Sequence, residues 1–261
     1  MNLNLRTSAA KPHLALKSAG RLAFVLGALS LSTLHLSASP VTYTGYDLNA
    51  GPGDSTPNSN AAYSSFAAAA GSLGTITFES SPVGYFSTLT VAPGVTVTGA
   101  DASGNDLYIN NTPNDPGSPS LDGFNTTPGG ANYVEDMGGY ATFSFATPID
   151  AFGVYLSGVQ LYFYQDTVTF SDGTSQTIDV PGLTDGTGSV DFVGFTDPGK
   201  SISSVTITAG ADGYGDYIGI DDVSYNLPGT VTPEPGSVVL MLTGCLALGL
   251  LVWKRRAAQV F

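Results

Sequence analysis

The sequence predicts an all-β protein built around a single β-sandwich. Three observations lead to that prediction. From residue 72 to 227, β-branched and aromatic residues alternate with small polar ones, and Gly, Pro, Asp or Asn interrupts them about every 8 to 12 residues. The same stretch contains no cysteine, so its stability must come from a core rather than from disulfides. The body of the chain, residues 39–231, has about 190 residues and is long enough to bury one such core.

Residues 1–38 are predicted to be a secretory signal peptide that forms an N-terminal signal helix. A basic segment precedes an apolar run, residues 22–38, that ends in small residues, and this order is typical of such leaders. The basic residues are Arg6, Lys11, Lys17 and Arg21. Cleavage is expected near Ala38. Because Pro40 lies close to that point, an uncleaved membrane anchor is the alternative.

Residues 39–71 are predicted to be irregular apart from one short helix. The stretch up to Asn60 is rich in Gly, Pro, Ser and Asn. Asn58 or Ser59 is a candidate cap for a helix that carries Tyr63 and Phe66 one turn apart and ends at Gly71.

The sandwich itself is assigned to residues 72–227 and to about a dozen strands. The predicted strands are 75–79, 88–92, 95–99, 106–110, 140–146, 149–156, 161–165, 167–171, 175–180, 189–195, 201–208 and 217–225. Asp172-Gly173 lies between two alternating runs and predicts a hairpin turn, since Gly tolerates the positive φ that such turns need. The Gly/Pro/Asn-rich residues 110–132 are predicted to form a large surface loop.

After a linker at 228–236, residues 237–256 are predicted to form a C-terminal transmembrane helix with a basic stop, followed by a cytoplasmic stub at 257–261. Residues 237–253 carry no charge, and as a helix they extend about 25 Å, close to the thickness of a bilayer core. The basic stop consists of Lys254, Arg255 and Arg256, which orient the span with the body outside the cytoplasm.

The motif Pro233-Glu234-Pro235, the apolar span and the basic cluster together resemble the PEP-CTERM sorting signal of exported bacterial proteins, which is also called the ice-binding-protein C-terminal domain. The resemblance covers residues 231–256 only. It implies a partner, an exosortase-type membrane protease, and a Gram-negative host that makes exopolysaccharide. It further implies transient anchoring in the inner membrane, cleavage near Pro-Glu-Pro, and release to the cell surface or extracellular matrix.

Charge and composition exclude several functions for the body. Residues 39–231 contain 20 acidic residues and one basic residue, Lys200, which gives a net charge of −19. A surface of this kind repels phosphate backbones, so nucleic-acid binding is excluded. Both histidines, His13 and His35, lie in the leader, and Cys245 lies in the tail. The body therefore has no Ser-His-Asp, Cys-His or histidine–metal site, and it is predicted not to be an enzyme.

The residue runs 75–84 and 213–225 resemble the first and last strands of lectin-like jelly-roll domains. That resemblance implies a structural Ca²⁺ held by acidic residues at the edges of those strands, which here are Glu79 and Asp221 or Asp222. Oxygen ligands of this type suit calcium. The alternative is that these carboxylates are solvated surface charge.

Tyrosines supply candidate stacking surfaces for a sugar, namely Tyr162, Tyr164, Tyr214 and Tyr217. The predicted function is a non-catalytic structural or adhesive role at the cell surface or in an exopolysaccharide matrix. The alternatives are a Ca²⁺-dependent carbohydrate-binding module and, more distantly, a glycan hydrolase that uses paired carboxylates.

Overall fold

The computed structural model describes residues 40–112, 122–160, 188–197, 201–209 and 217–226, the backbone of strands 163–170 and 175–181, and residues 173 and 244. The predicted signal peptide and the sorting residues Pro233, Glu234, Pro235, Lys254, Arg255 and Arg256 lie outside these residues. Within the described part of the chain, no helix combines the length and the apolar character that a membrane span requires.

The described residues form two antiparallel sheets and one helix, which confirms the all-β prediction. The larger sheet has the order β1-β12-β9-β14-β7-β6-β3, with β2 also paired to β14. Its strands are β1 (Val41–Leu48), β2 (Leu73–Ile76), β3 (Gly84–Phe86), β6 (Leu107–Asn110), β7 (Tyr133–Met137), β9 (Ala151–Ser157), β12 (Ser189–Thr196) and β14 (Tyr217–Asn226).

The smaller sheet has the order β11-β10-β13-β8-β5-β4. Its strands are β4 (Thr88–Ala92), β5 (Val95–Ala100), β8 (Tyr140–Ile149), β10 (Phe163–Phe170), β11 (Ser175–Pro181) and β13 (Ile202–Thr208). Strands β10 and β11 pair antiparallel on either side of Gly173, whose φ is 80°, so the predicted hairpin is confirmed.

Buried residues of both sheets form one large apolar core. Val95 and Val97, alternate residues of β5, belong to it together with Phe152, Val154 and Leu156, alternate residues of β9. This period of two is the pattern that predicted the sandwich.

Three strands of the larger sheet were not predicted, and the shortest of them is β3, Gly84–Phe86. Residues 41–48, expected to be irregular, form β1, which pairs with β12 over its whole length, from Val41 opposite Thr196 to Leu48 opposite Ser189. Residues 133–137 form β7, although Glu135 and Asp136 interrupt the apolar pattern and are both buried. In β1 and β7 pairing with strands far along the chain overrides a weak local pattern.

The predicted short helix is present as α1 (Pro57–Ala70). Asn58 or Ser59 was the expected cap of its N-terminus, but neither side chain caps it. Asp47 of β1 does so instead. The backbone N–H groups of Asn58 and Ser59 donate to the two carboxylate oxygens of Asp47 at 3.1 and 2.9 Å. A buried carboxylate at this position satisfies orphan N–H groups and complements the helix dipole, so a strand side chain fixes where the helix begins.

Helix α1 covers the outer face of the larger sheet and makes a second apolar cluster there. Phe66 is fully buried, with its ring centroid 5.5 Å from that of Phe192 and 5.9 Å from that of Tyr43. Gly153 and Gly194 lie below it, and a Cβ at either position would come within 3.0 Å of a Phe66 ring carbon. The glycines therefore permit the close approach of helix and sheet.

The outer face of the smaller sheet has a different character. Strand pairing aligns Thr98, Thr142 and Thr206 in one row, and Thr142 and Thr206 are hydrogen-bonded through their hydroxyls at 2.8 Å. Strands β4, β5, β8 and β13 contain no charged residue. Among the strands whose side chains the structure describes, acidic residues occur only in the larger sheet.

Candidate functional site

An open cleft of about 720 Å³ lies on the outer face of the larger sheet, beside helix α1. One wall is formed by residues 51–56 and by Asn60 and Tyr63 of the helix. The opposite wall is residues 124–131 of the predicted surface loop. Side chains of β2, β7, β9, β12 and β14 contribute the floor, so the sheet supplies a rigid base between two loop-built walls.

Three tyrosines line this cleft. Tyr63 is half-buried on α1, and Tyr155 on β9 lies next to it, with ring centroids 5.9 Å apart. The Tyr155 hydroxyl donates to Asn60 Oδ1 at 2.8 Å, which ties sheet to helix. Tyr133 on β7 donates to the backbone oxygen of Thr112 at 2.9 Å. Burial raises the pKa of both Tyr133 and Tyr155, so they act as neutral hydroxyls throughout the physiological range.

The predicted residues Glu79, Asp221 and Asp222 do come together, around the loop that forms the second wall. The backbone N–H groups of Thr126 and Thr127 donate to Asp221 Oδ2 at 2.8 and 3.1 Å. The hydroxyls of the same two threonines donate to Asp222 at 3.1 and 2.8 Å. Asp221 and Asp222 therefore anchor this part of the loop to the sheet.

Glu79 holds the far end of the same loop. Its carboxylate accepts the backbone N–H groups of Ala131 and Asn132 at 3.0 and 3.2 Å, and the side-chain amide of Asn125 at 2.8 Å. The pairing of β2 with β14, Ile76 opposite Val223, brings Glu79 towards the two aspartates. Strands β2 and β14 are therefore neighbours in the larger sheet.

Asp221 and Asp222 reach this loop because β14 contains a bulge. The register of β14 against β9 shifts between Asp221 and Ser224, and Asp222 has a φ of 46°. Ile220 before the bulge and Val223 after it both face the inner core. The extra residue thus leaves the core pattern intact while placing two consecutive carboxylates next to the cleft, a common use of bulges near functional sites.

In this structure five of the six oxygens of these three carboxylates accept hydrogen bonds, and Asp221 Oδ1 has no partner. Calcium requires six to eight oxygen ligands free to face it. Here both oxygens of Glu79 and of Asp222, and Oδ2 of Asp221, already accept N–H or O–H donors. Among the described residues no group of three acidic, histidine or cysteine side chains is placed to hold a metal. Calcium binding at Glu79, Asp221 and Asp222 stays a prediction of the sequence.

The aspartates that anchor the loop are largely buried and lie close to other carboxylates. Burial, with the nearby charge of Asp222 as a second cause, raises the pKa of Asp221 to about 7. Burial also raises the pKa of Asp222, and Glu79 adds to that effect. The described residues include no Lys, Arg or His, so no side chain there offsets these charges.

One polar atom on the cleft floor has no hydrogen-bond partner. Ser224 lines the cleft, is 1% exposed, and its Oγ makes no hydrogen bond in the structure. A buried hydroxyl without a partner costs free energy, and at a binding site a ligand can supply the missing hydrogen bond. Ser224 therefore marks a position where a polar ligand group would fit.

Of the predicted stacking tyrosines, only Tyr217 has a described side chain. Tyr217 is 44% exposed at the start of β14 and does not line the cleft. Tyr162, Tyr214 and the side chain of Tyr164 lie outside the described residues. The cleft instead uses Tyr63, Tyr133 and Tyr155. The sequence offered one signal for them, the long 110–132 loop, since a loop of that length often covers a functional surface.

The fold and the cleft together define an antiparallel β-sandwich with a helix-bordered polar cleft on its larger sheet. No protein-family model and no curated protein matches this chain. Among solved structures, a family 29 carbohydrate-binding module is similar at 12% identity and a TM-score of 0.34, covering 62% of this chain and 99% of that one.

Two further solved structures are similar at the same level. The cleaved adhesin domain of Lys-gingipain matches at 18% identity and a TM-score of 0.35, covering 59% of this chain and 98% of its own. An isomalto-dextranase of Arthrobacter globiformis matches at 17% identity and a TM-score of 0.27, over 59% of this chain and 32% of the enzyme. At these TM-scores the similarities assign neither a family nor a function.

Proposed function

We propose that this protein is a non-catalytic glycan-binding domain and that the cleft between α1 and the 124–131 loop holds the sugar. The observation that carries the proposal is the composition of the cleft. Tyrosine rings lie beside amide, carboxylate and hydroxyl groups, among them the unpartnered Ser224 Oγ. Aromatic faces pack against the apolar faces of sugar rings, while amides and carboxylates hydrogen-bond their hydroxyls.

The surroundings of the cleft favour recognition over catalysis. Its polar groups come from rigid elements: Asn60 and Tyr63 from the helix, Tyr155 from β9 and Asp222 from the bulge in β14. The carboxylates that anchor the loop are occupied by backbone N–H donors, so they are not arranged as a free acid and nucleophile. An adhesive role in a polysaccharide matrix uses such a site directly.

A glycan array probed with the full-length chain tests this function. The expected result is binding to a subset of oligosaccharides. Tyr63→Ala should weaken that binding about fivefold to thirtyfold, because losing a stacked aromatic ring costs on the order of 1–2 kcal/mol. The matched control is Thr98→Ala, which truncates a half-buried side chain on the outer face of the smaller sheet and should leave affinity unchanged. No bound glycan, or equal loss in both variants, would refute the proposal.

We further propose that the chain is exported and processed through its C-terminal signal, which places the glycan-binding domain at the cell surface or in the matrix. The support is the order of Pro-Glu-Pro, apolar span and basic cluster in residues 231–256. Mass spectrometry of the extracellular protein should find a C-terminus near Glu234. An intact extracellular peptide spanning Glu234 to Val252 would contradict processing.

A further inference from the structure

We infer that the glycan held in the cleft carries free amino groups, so that the ligand is a polymer or oligomer of glucosamine type whose ammonium lies against Asp222. This inference rests on the proposed glycan-binding function and names its ligand class. Three independent features of the site support it: the charge at the cleft, the unpartnered hydroxyl on its floor and the aromatic pair beside it.

The first feature is uncompensated negative charge. Asp222 lines the cleft, and Glu79 lies beside it around the same loop. Asp54 lines the opposite wall and is exposed. The described residues provide no cationic side chain to pair with any of them. A partly buried carboxylate without a counter-charge favours a cationic partner, and an ammonium group can donate a hydrogen bond to it as well.

The second feature is the set of acceptors available to an ammonium. An ammonium has three N–H donors and needs acceptors in different directions. Each Asp222 carboxylate oxygen accepts one threonine hydroxyl and keeps a second lone pair, and the buried Ser224 Oγ on the cleft floor has no partner of its own. Both residues lie on β14 and are separated by one residue. Both residues therefore reach the cleft from the same strand.

The third feature is the aromatic pair. Tyr63 and Tyr155 line the same cleft, with ring centroids 5.9 Å apart. Tyr155 is buried, so the half-buried Tyr63 supplies the accessible aromatic face. A tyrosine face attracts cations through its quadrupole and also packs against a sugar ring. An acidic sugar would instead bring a second negative charge next to Asp222, which costs binding free energy and excludes uronic-acid and sulfated polymers.

Isothermal titration of the full-length chain with two hexamers tests the inference. Glucosamine hexamer and N-acetylglucosamine hexamer have the same backbone and length but differ in the amine. At about pH 6, where the amine is protonated, and at low salt, the glucosamine hexamer should bind at least about tenfold more tightly. The difference should shrink as salt screens the charge.

The Asp222→Asn variant should lose most of this preference. Asn tolerates the positive φ at the bulge, so the fold is retained. The matched control is Asp106→Asn, which removes one exposed charge before β6. A polycation held only by the net charge of the chain would respond equally to both variants, and that result would overturn the inference.

Ser224→Ala gives a second, independent variant. It removes a hydroxyl that has no partner in the structure, so folding stability should not fall. Binding of glucosamine hexamer should weaken about threefold to tenfold if the hydroxyl accepts from the ligand. Equal affinity for the two hexamers would overturn the amino-sugar inference and leave the glycan-binding function standing. A glycan array without any hit would refute the function itself.

Discussion

As the pH falls from 8 to 4.5, we expect the folded protein to become more stable rather than less. Most proteins lose stability on acidification because their carboxylates are paired. Here the described residues include six buried acidic side chains and no basic one: Asp47, Glu135, Asp136, Asp191, Asp197 and Asp221. Burial raises the pKa of Asp136, Asp191 and Asp221 to about 7.

The sign follows from proton linkage. A carboxyl with a pKa of about 7 in the fold and 3.8 when unfolded binds more protons in the folded state between those values. Its stabilising contribution is complete below pH 3.8 and is lost as the pH rises through about 7. The slope is about 1.4 kcal/mol per pH unit for each group, so one such group changes stability by on the order of 4 kcal/mol.

Urea unfolding of the full-length chain across this pH range, with a chelator present, measures the effect. In Asp191→Asn the free energy of unfolding should depend less on pH. The variant should therefore become more stable relative to the wild type as pH rises from about 4 to about 7. Asp106→Asn, at an exposed site, should leave the dependence unchanged. Stability that falls steadily from pH 7 to pH 4.5 would contradict the account. Added calcium that raises stability at pH 8 would support the sequence-based calcium prediction.

Phe66→Ala should destabilise the protein by about 3–5 kcal/mol. Phe66 is fully buried between α1 and the sheet, over Phe192, Gly153 and Gly194. A 14-residue helix is marginal without packing, and the truncation removes its largest fully buried side chain. Because α1 carries Tyr63, the variant should also lose glycan binding.

The measurement is the free energy of unfolding in urea together with affinity for an array ligand. Ser65→Ala is the matched control, since Ser65 is exposed on the same helix and its hydroxyl donates to the backbone oxygen of Ala61 at 2.9 Å. That substitution should change stability by less than about 0.5 kcal/mol. A loss below about 1 kcal/mol for Phe66→Ala would mean that the helix does not depend on this cluster.

Local patterns predicted the sandwich well and the exceptions have a clear cause. Alternating runs such as residues 95–99 and 140–146 became strands because their apolar residues face one core. Strand β1 was missed because its partner, β12, lies about 150 residues away and Gly and Pro surround it. Strand β7 was missed because Glu135 and Asp136 are buried acids, which no local pattern anticipates.

The candidate site was predicted only in part. The sequence indicated that Glu79, Asp221 and Asp222 lie near one another, and they do. Their role as anchors depends on Thr126, Thr127 and Ala131, whose backbone donors become visible only when the loop folds back onto the sheet. The cleft could not be predicted for the same reason, since its walls come from segments about 70 residues apart.

Hydrogen–deuterium exchange of the full-length chain, with and without the tightest-binding oligosaccharide of the array, tests the central claim most directly. The cleft account predicts that the ligand slows exchange in residues 51–63 and 124–133, which form the two walls. It predicts no change in β4, β5 and β13 of the smaller sheet. Protection confined to the smaller sheet, or absent from both cleft walls at saturating ligand, would contradict the claim that this cleft is the binding site.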